Sequence, residues 1–256
     1  MIDIHSHILP EIDDGAADEE TSIEMLRISE MDGIKSIIAT PHYIRFSIDN
    51  TRELIAERCR KLSNAAKRYG INVDIYPGSE VFIGLEIPQL IKEGQIATLN
   101  NSEYVLMELP MGSMPDFTDD VIYRLKLDGY TPVIAHPERY AVIGKDPNRL
   151  YRIIRNGALV QMNAGSLNGV YGKHVQKTAW SLLNHGMVHF ISSDAHGCRR
   201  RAPKLSNCMQ LVEKEMGKDV AEMLFCLNAE AVINHKNISA PEPQEVRMKR
   251  IFSFFR

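Results

Sequence analysis

Hydrophobic positions in this chain of 256 residues cluster in short β-branched runs separated by longer charged segments. The runs cover 2–4, 36–40, 73–76, 104–109, 132–135, 158–162 and 187–191, each too short and too rich in Val and Ile to form a helix. Segments 19–31, 51–69, 117–127, 149–156, 175–184 and 205–216 show the spacing of amphipathic helices. Glycine falls where several of these helices should stop, at Gly33, Gly70, Gly129, Gly157 and Gly186, each followed by the next apolar run. About seven β-then-α units, spaced by roughly 30 residues with no long linker, predict a parallel α/β barrel, with an open doubly wound sheet as the alternative.

One domain over 1–240 is expected, followed by a basic and aromatic tail over 241–256. That tail places Arg247, Lys249, Arg250 and Arg256 around Ile251, Phe252, Phe254 and Phe255. Weak contact with an anionic membrane or a partner is one reading, and packing on its own domain is the other.

Composition narrows the function classes. Hydrophobic residues at 44% and charged residues at 25% are ordinary for a globular chain, which excludes collagen, coiled-coil arrays and wholesale disorder. The net charge of −3 provides no general basic field, so no nucleic-acid partner is expected. Cys59, Cys198, Cys208 and Cys226 form no CxxC pair, which argues against a disulfide framework or a cysteine zinc site. The start MIDIHSH has neither a basic n-region nor an apolar h-region, and no apolar run reaches the roughly 18 residues of a membrane helix; the expected location is cytoplasmic.

Chemistry gathers at the ends of the apolar runs. The first ends Asp3-Ile4-His5-Ser6-His7, and strand alternation turns His5 and His7 to the same side. Later runs end at or near His42, Glu80, Glu108, His136 and Asp194-Ala195-His196, while an acidic turn carries Asp14. In a parallel barrel these ends meet on one face. Five histidines and four carboxylates brought together would clash electrostatically without cations. Mixed imidazole and carboxylate ligands suit Mn, Fe or Zn, and the number of ligands implies two or three ions.

Three divalent ions would leave such a cluster positively charged and suited to a dianion, with a hydroxide bridging two metals as nucleophile. Arg139, just beyond His136, has a planar fork suited to phosphate oxygens; a salt bridge with Glu138 is its structural alternative. Of Arg199, Arg200 and Arg201, only one need face the site, and Arg201 is the candidate.

The segments MIDIHSHILPEIDDGA, IIATPHY, PGSEV, YVLMELP, GYTPVIAHPERY, QMNAGSLNGVYGK and ISSDAH occur in order along nearly the whole chain. With them the chain resembles the PHP (polymerase and histidinol phosphatase) superfamily, and within it the bacterial tyrosine-phosphatase branch found with capsule and exopolysaccharide genes. The resemblance implies a distorted barrel of seven βα units, a TIM-like (β/α)7 fold, with a trinuclear centre that is commonly manganese-dependent. It implies one metal on His5, His7, Glu80 and Asp194, a second on Glu80, Glu108 and His136, and a third on Asp14, His42 and His196. Arg139 matches the phosphate-binding arginine, and Arg201 is the weaker match to a second one.

The resemblance further implies a phosphotyrosine substrate on a partner protein, the tyrosine-rich tail of a membrane-associated kinase. A cysteine nucleophile would need Arg six residues later, and Ala65, Lys204, Lys214 and Val232 occupy those places instead. Two other functions remain open: a small-molecule phosphatase of the histidinol-phosphate type, which needs a deep pocket, and a metal-stabilised regulatory scaffold.

Overall fold

Strand β1 (Ile2–Ser6) runs parallel to β2 (Ser36–Ala39), which runs parallel to β4 (Asp74–Pro77). Proline at 41 interrupts the path of β2, which resumes as β3 (His42–Tyr43), and Gly78-Ser79 likewise separates β4 from β5 (Glu80–Phe82). Strands β3, β5, β6 (Tyr104–Glu108), β7 (Thr131–Ala135), β8 (Leu159–Asn163) and β9 (Phe190–Ser192) then pair in parallel in that order. The chain comes from a computed structural model that describes residues 1–238 and 240–247.

With β2/β3 and β4/β5 each counted as one interrupted strand, the strand order follows the chain order. The cylinder closes where Ser6 bridges Ala195, His7 N–H donates to Ala195 O at 2.8 Å and Asp194 N–H donates to His5 O at 2.9 Å. A doubly wound sheet reverses its order and keeps two open edges. The barrel alternative is the one that forms, with its distortion concentrated at the interrupted strands.

Helices α1 (Glu19–Met31), α2 (Arg52–Arg68), α3 (Ile87–Lys92), α4 (Thr118–Leu127), α5 (Ala141–Lys145), α6 (Asn148–Arg155), α7 (Ala164–Leu167), α8 (Lys173–Asn184), α9 (Ser206–Met216), α10 (Lys218–Glu222) and α11 (Asn228–Ile233) complete the βα units. Asp18 caps α1 by accepting from Thr21 N at 2.7 Å, and Glu19 and Glu20 complement the dipole of its first turn. In α2, Ile55, Cys59, Leu62 and Ala66 recur at helical spacing and are buried on one face.

One run departs from the sequence pattern. Run 187–191 yields strand only at Phe190–Ser192, because Met187 and Val188 fill the core before the chain joins the sheet. The segment expected to be a tail runs back along the barrel over 241–247. There Gln244 N–H donates to His185 O at 2.8 Å, and Val246 exchanges hydrogen bonds with Asn148 at 2.8 and 3.1 Å. Lys249, Arg250, Ile251, Phe252, Phe254, Phe255 and Arg256 lie outside the described residues. Among the described residues, no helix is long and apolar enough to cross a membrane.

Candidate metal centre

Strand alternation and barrel closure bring His5 and His7 to the centre of the C-terminal rim. Both are fully buried, with Nε2 atoms 3.3 Å apart. Around them lie Glu80 from β5, His42 from β3, Glu108 from β6, His136 after β7, and Asp194 and His196 after β9. Glu80 Oε2 is 3.3 Å from His5 Nε2, 3.2 Å from His7 Nε2 and 3.1 Å from His42 Nδ1. His136 Nε2 is 2.8 Å from Glu80 Oε1 and 3.7 Å from Glu108 Oε1. Asp14 Oδ1 lies 3.5 Å from His42 Nε2 and 3.4 Å from His196 Nε2, and Asp194 Oδ1 lies 3.5 Å from His5 Nε2. The structure thus brings together all nine side chains singled out as metal ligands.

Whether these donors suit metal ions is decided by their hydrogen bonds. His5 Nδ1 pairs with Gln161 Oε1 at 2.8 Å and His7 Nδ1 with Asp13 Oδ2 at 2.7 Å. Both oxygens accept, so both histidines carry a proton on Nδ1 and turn Nε2 inward. Two inward Nε2 atoms 3.3 Å apart, with Glu80 beside them, need a proton or a metal cation between them. His42 Nδ1 approaches Glu80 closely yet has no aligned hydrogen bond, which is how shared metal donors are placed. Bonds of about 2.0–2.2 Å to one ion put neighbouring N and O donors roughly 3.0–3.5 Å apart, close to the spacing of the His5, His7, His42 and Glu80 donors. Three overlapping groups place one donor atom of each residue within 4.8 Å of the others: His7, Asp14, His42 and His196; His5, His7 and Glu80; His42, Glu80 and Glu108.

The field of the site favours positive charge. Burial lowers His7, but Asp13 and Glu80 outweigh it and push the imidazole up to about 10. Burial, then the neighbouring Glu80 carboxylate, pushes Glu108 up to about 7. His196 goes the other way, lowered to about 3 by burial and then by the nearby His7, which keeps it in the neutral form that binds metals. A pocket that pulls a proton onto His7 against burial pulls a divalent cation by the same field.

Backbone geometry delivers these side chains. His136 and Asp194 both adopt left-handed φ, +34° and +52°, conformations costing on the order of 1–3 kcal/mol that persist only where the surroundings enforce them. His136 N–H donates to Gln161 O at 2.8 Å and Asp194 N–H donates to His5 O at 2.9 Å, which fixes each bend. Gly15 is needed beside His7, because a Cβ there would collide with the His7 carbonyl oxygen and Cβ.

The two candidate arginines share one target. Arg139 Nη1 lies 3.0 Å and Arg201 Nη2 2.8 Å from Asp194 Oδ2, so Arg139 pairs with Asp194 and not with its neighbour Glu138. Arg200 turns away and donates to Val170 O at 2.9 Å. Glu138 is buried and accepts from Ser166 Oγ at 2.6 Å and Asn163 N–H at 3.0 Å.

The sequence pattern does not single out Asp13, Gln161 or Asn163. Asp13 is distinguished from Asp14 only by the turn, which aims it at His7 Nδ1. Gln161 and Asn163 form an amide relay. Asn163 Nδ2 donates to Asp194 Oδ2 at 2.6 Å, Gln161 Nε2 donates to Asn163 Oδ1 at 3.0 Å, and Gln161 Oε1 is left to accept from His5. The polarity of the relay is set by the Asp194 carboxylate, which only accepts. Their alternation on β8 is the one signal that places both on the side of the site. Replacement Gln161→Leu is expected to weaken metal affinity about 10-fold or more, since His5 loses the group that orients it. A chelator competition titration measures this, and unchanged affinity would remove Gln161 from that role.

Residues 1–234 match the family described as "Capsular polysaccharide synthesis, CpsB/CapC". The chain is 37% identical over 255 residues to the tyrosine-protein phosphatase YwqE of Bacillus subtilis (strain 168), covering 100% of both chains. It is 30% identical over 241 residues to the tyrosine-protein phosphatase CpsB of Streptococcus agalactiae serotype V, covering 92% of this chain and 99% of that one. A crystal structure from work on YwqE of Bacillus subtilis and CpsB of Streptococcus pneumoniae, described as unique metal-dependent tyrosine phosphatases, superposes with a TM-score of 0.94. It shares 37% identity over 97% of this chain and 100% of that one. The lactonase Lmo2620 of Listeria monocytogenes, at 12% identity and a TM-score of 0.54 over 92% of this chain and 95% of that one, shares the fold alone.

Proposed function

The chain belongs to the CpsB/CapC family and is a metal-dependent tyrosine-protein phosphatase; we propose that His5, His7, Asp14, His42, Glu80, Glu108, His136, Asp194 and His196 hold its metals and that Arg139 and Arg201 bind the phosphate. The observation that carries the ligand assignment is the pair of inward Nε2 atoms of His5 and His7 converging on Glu80. Two or three divalent ions held there would supply Lewis acidity and a water whose pKa is lowered toward about 7. Manganese is the ion proposed, with iron and zinc compatible with the same mixed donors.

The chain's own groups do the rest. Arg139 and Arg201 each spend one N–H on Asp194 and keep further donors for phosphate oxygens. Tyr171, whose ring lies 4.8 Å from the Arg139 guanidinium carbon, stiffens that fork from one face. Burial pushes the Cys59 and Cys208 thiols up to about 12, and neither is a nucleophile.

An open edge favours a protein substrate over a small alcohol phosphate. Side-chain exposure reaches 64% at Asp14, 21% at Arg139 and 28% at Arg201, whereas a small alcohol phosphate calls for a deep pocket. The proposed substrate is a phosphotyrosine segment of a partner kinase in capsule or exopolysaccharide synthesis, met in the cytoplasm. Contact of the terminal basic segment with a membrane is proposed as a weak accessory. Chelation should abolish phosphotyrosine hydrolysis, and separate additions of Mn, Fe and Zn should identify the ion that restores it. Replacement Arg139→Ala should cost about 2 kcal/mol in kcat/KM, roughly 30-fold, because Arg201 stays in place. Kinetics on protein with unchanged metal content checks it, and near-normal kcat/KM would make Arg139 structural.

A further inference from the structure

The loop after His196 builds a second feature beside the metal centre. A cavity of about 160 Å³ lies between α7 and α9 and is lined by Arg199, Arg200, Arg201, Lys204, Tyr171 and Ser193 among others. No carboxylate lines it among the described residues, in a chain whose net charge is −3. Four cations therefore concentrate where the overall balance predicts none. Arg199, Arg200 and Lys204 are exposed and Arg201 is paired with Asp194, so an anion entering the cavity meets three cations with no carboxylate partner in its lining.

The cavity is continuous with the phosphate-binding edge. Its inner wall is Arg201, whose Nη2 lies 2.8 Å from Asp194, and Tyr171, which stacks against Arg139. Arg201 Nε is buried without a hydrogen-bond partner, and its Nη2 is held by Asp194. Arg200 is held at the cavity by its hydrogen bond to Val170 O. The flank on the other side of Cys198 has the opposite balance: a groove there is lined by Asp18, Glu19, Glu20 and Glu24 against the single cation Arg27. The edge of the active site is thus basic on one flank and acidic on the other.

We propose that the basic cavity is a second anion subsite, which takes an acidic group of the substrate polypeptide next to the phosphotyrosine being hydrolysed. The group is a side-chain carboxylate or a second phosphate, both of which suit guanidinium and ammonium donors. This rests on the phosphotyrosine reading above and adds a rule of substrate choice. Arg199, Arg200 and Lys204 contact the flank and not the reacting phosphate, so they act on KM and leave kcat nearly unchanged.

The test compares three phosphotyrosine peptides on the metal-loaded enzyme: one flanked by alanine, one by glutamate and one by a second phosphotyrosine. The anionic peptides should show KM lower by about fivefold or more, an advantage that shrinks as salt is raised. The glutamate and phosphate arms report which anion the subsite prefers. Arg200→Gln and Lys204→Gln, made separately, should each reduce the advantage while hydrolysis of p-nitrophenyl phosphate stays unchanged. Equal KM for all three peptides, or an advantage that survives both substitutions, overturns the subsite. Absence of hydrolysis of every substrate would instead contradict the phosphatase reading itself.

Discussion

Phosphotyrosine peptides are expected to be hydrolysed at least about 100-fold faster in kcat/KM than phosphoserine peptides of the same sequence. The cause is the leaving group. A phenol leaves with a pKa near 10, a serine alkoxide with one several units higher that needs a proton donor. The rim offers no free imidazole. His5, His7, His42, His136 and His196 all lie within the cluster of donors. His174 belongs to α8, His185 is bonded to Ser181 O at 2.7 Å, and His235 follows α11. Burial lowers His189 to about 4, and its Nδ1 accepts from Val160 N–H at 3.0 Å. Parallel assays with both peptides decide the matter. Equal rates would mean that a rim group donates a proton, with Glu108, the carboxyl pushed up to about 7, as the first residue to replace.

Replacement His136→Ala is expected to lower turnover by at least about 100-fold. His136 reaches both Glu80 and Glu108, at 2.8 and 3.7 Å, so its loss removes a donor that the two carboxylates share. The main chain should hold, because the His136 N–H bond to Gln161 O is independent of the side chain. Thermal unfolding by circular dichroism separates the two effects: a folded variant with depleted metal supports the assignment, and a folded variant with full metal and full turnover contradicts it.

Much of this architecture is legible in the sequence because two simple periodicities carry it. Alternation on β1 places His5 and His7 together, and glycines that end helices mark the βα units. Closure makes the strand ends converge. What is not legible depends on turns and on ordinary residues. Nothing in the pair Asp13-Asp14 says that the first bonds His7 Nδ1 and His42 N–H while the second stays exposed at the rim. Gln161 and Asn163 become meaningful only when β8 lies beside β9 and their amides join His5 to Asp194. The breaks between β2 and β3 and between β4 and β5 leave strands of two and three residues, too short for a periodic signal. Helices α5 and α7, five and four residues long, are hidden for the same reason.

The central claim is that the clustered imidazoles and carboxylates drive phosphotyrosine hydrolysis through bound metal. Elemental analysis of the purified protein, paired with its specific activity during stepwise chelation and reloading, tests this most directly. Two to three divalent ions per chain in fully active protein, with activity falling and returning as they leave and rebind, is the predicted result. Full activity with less than one ion per chain would contradict it.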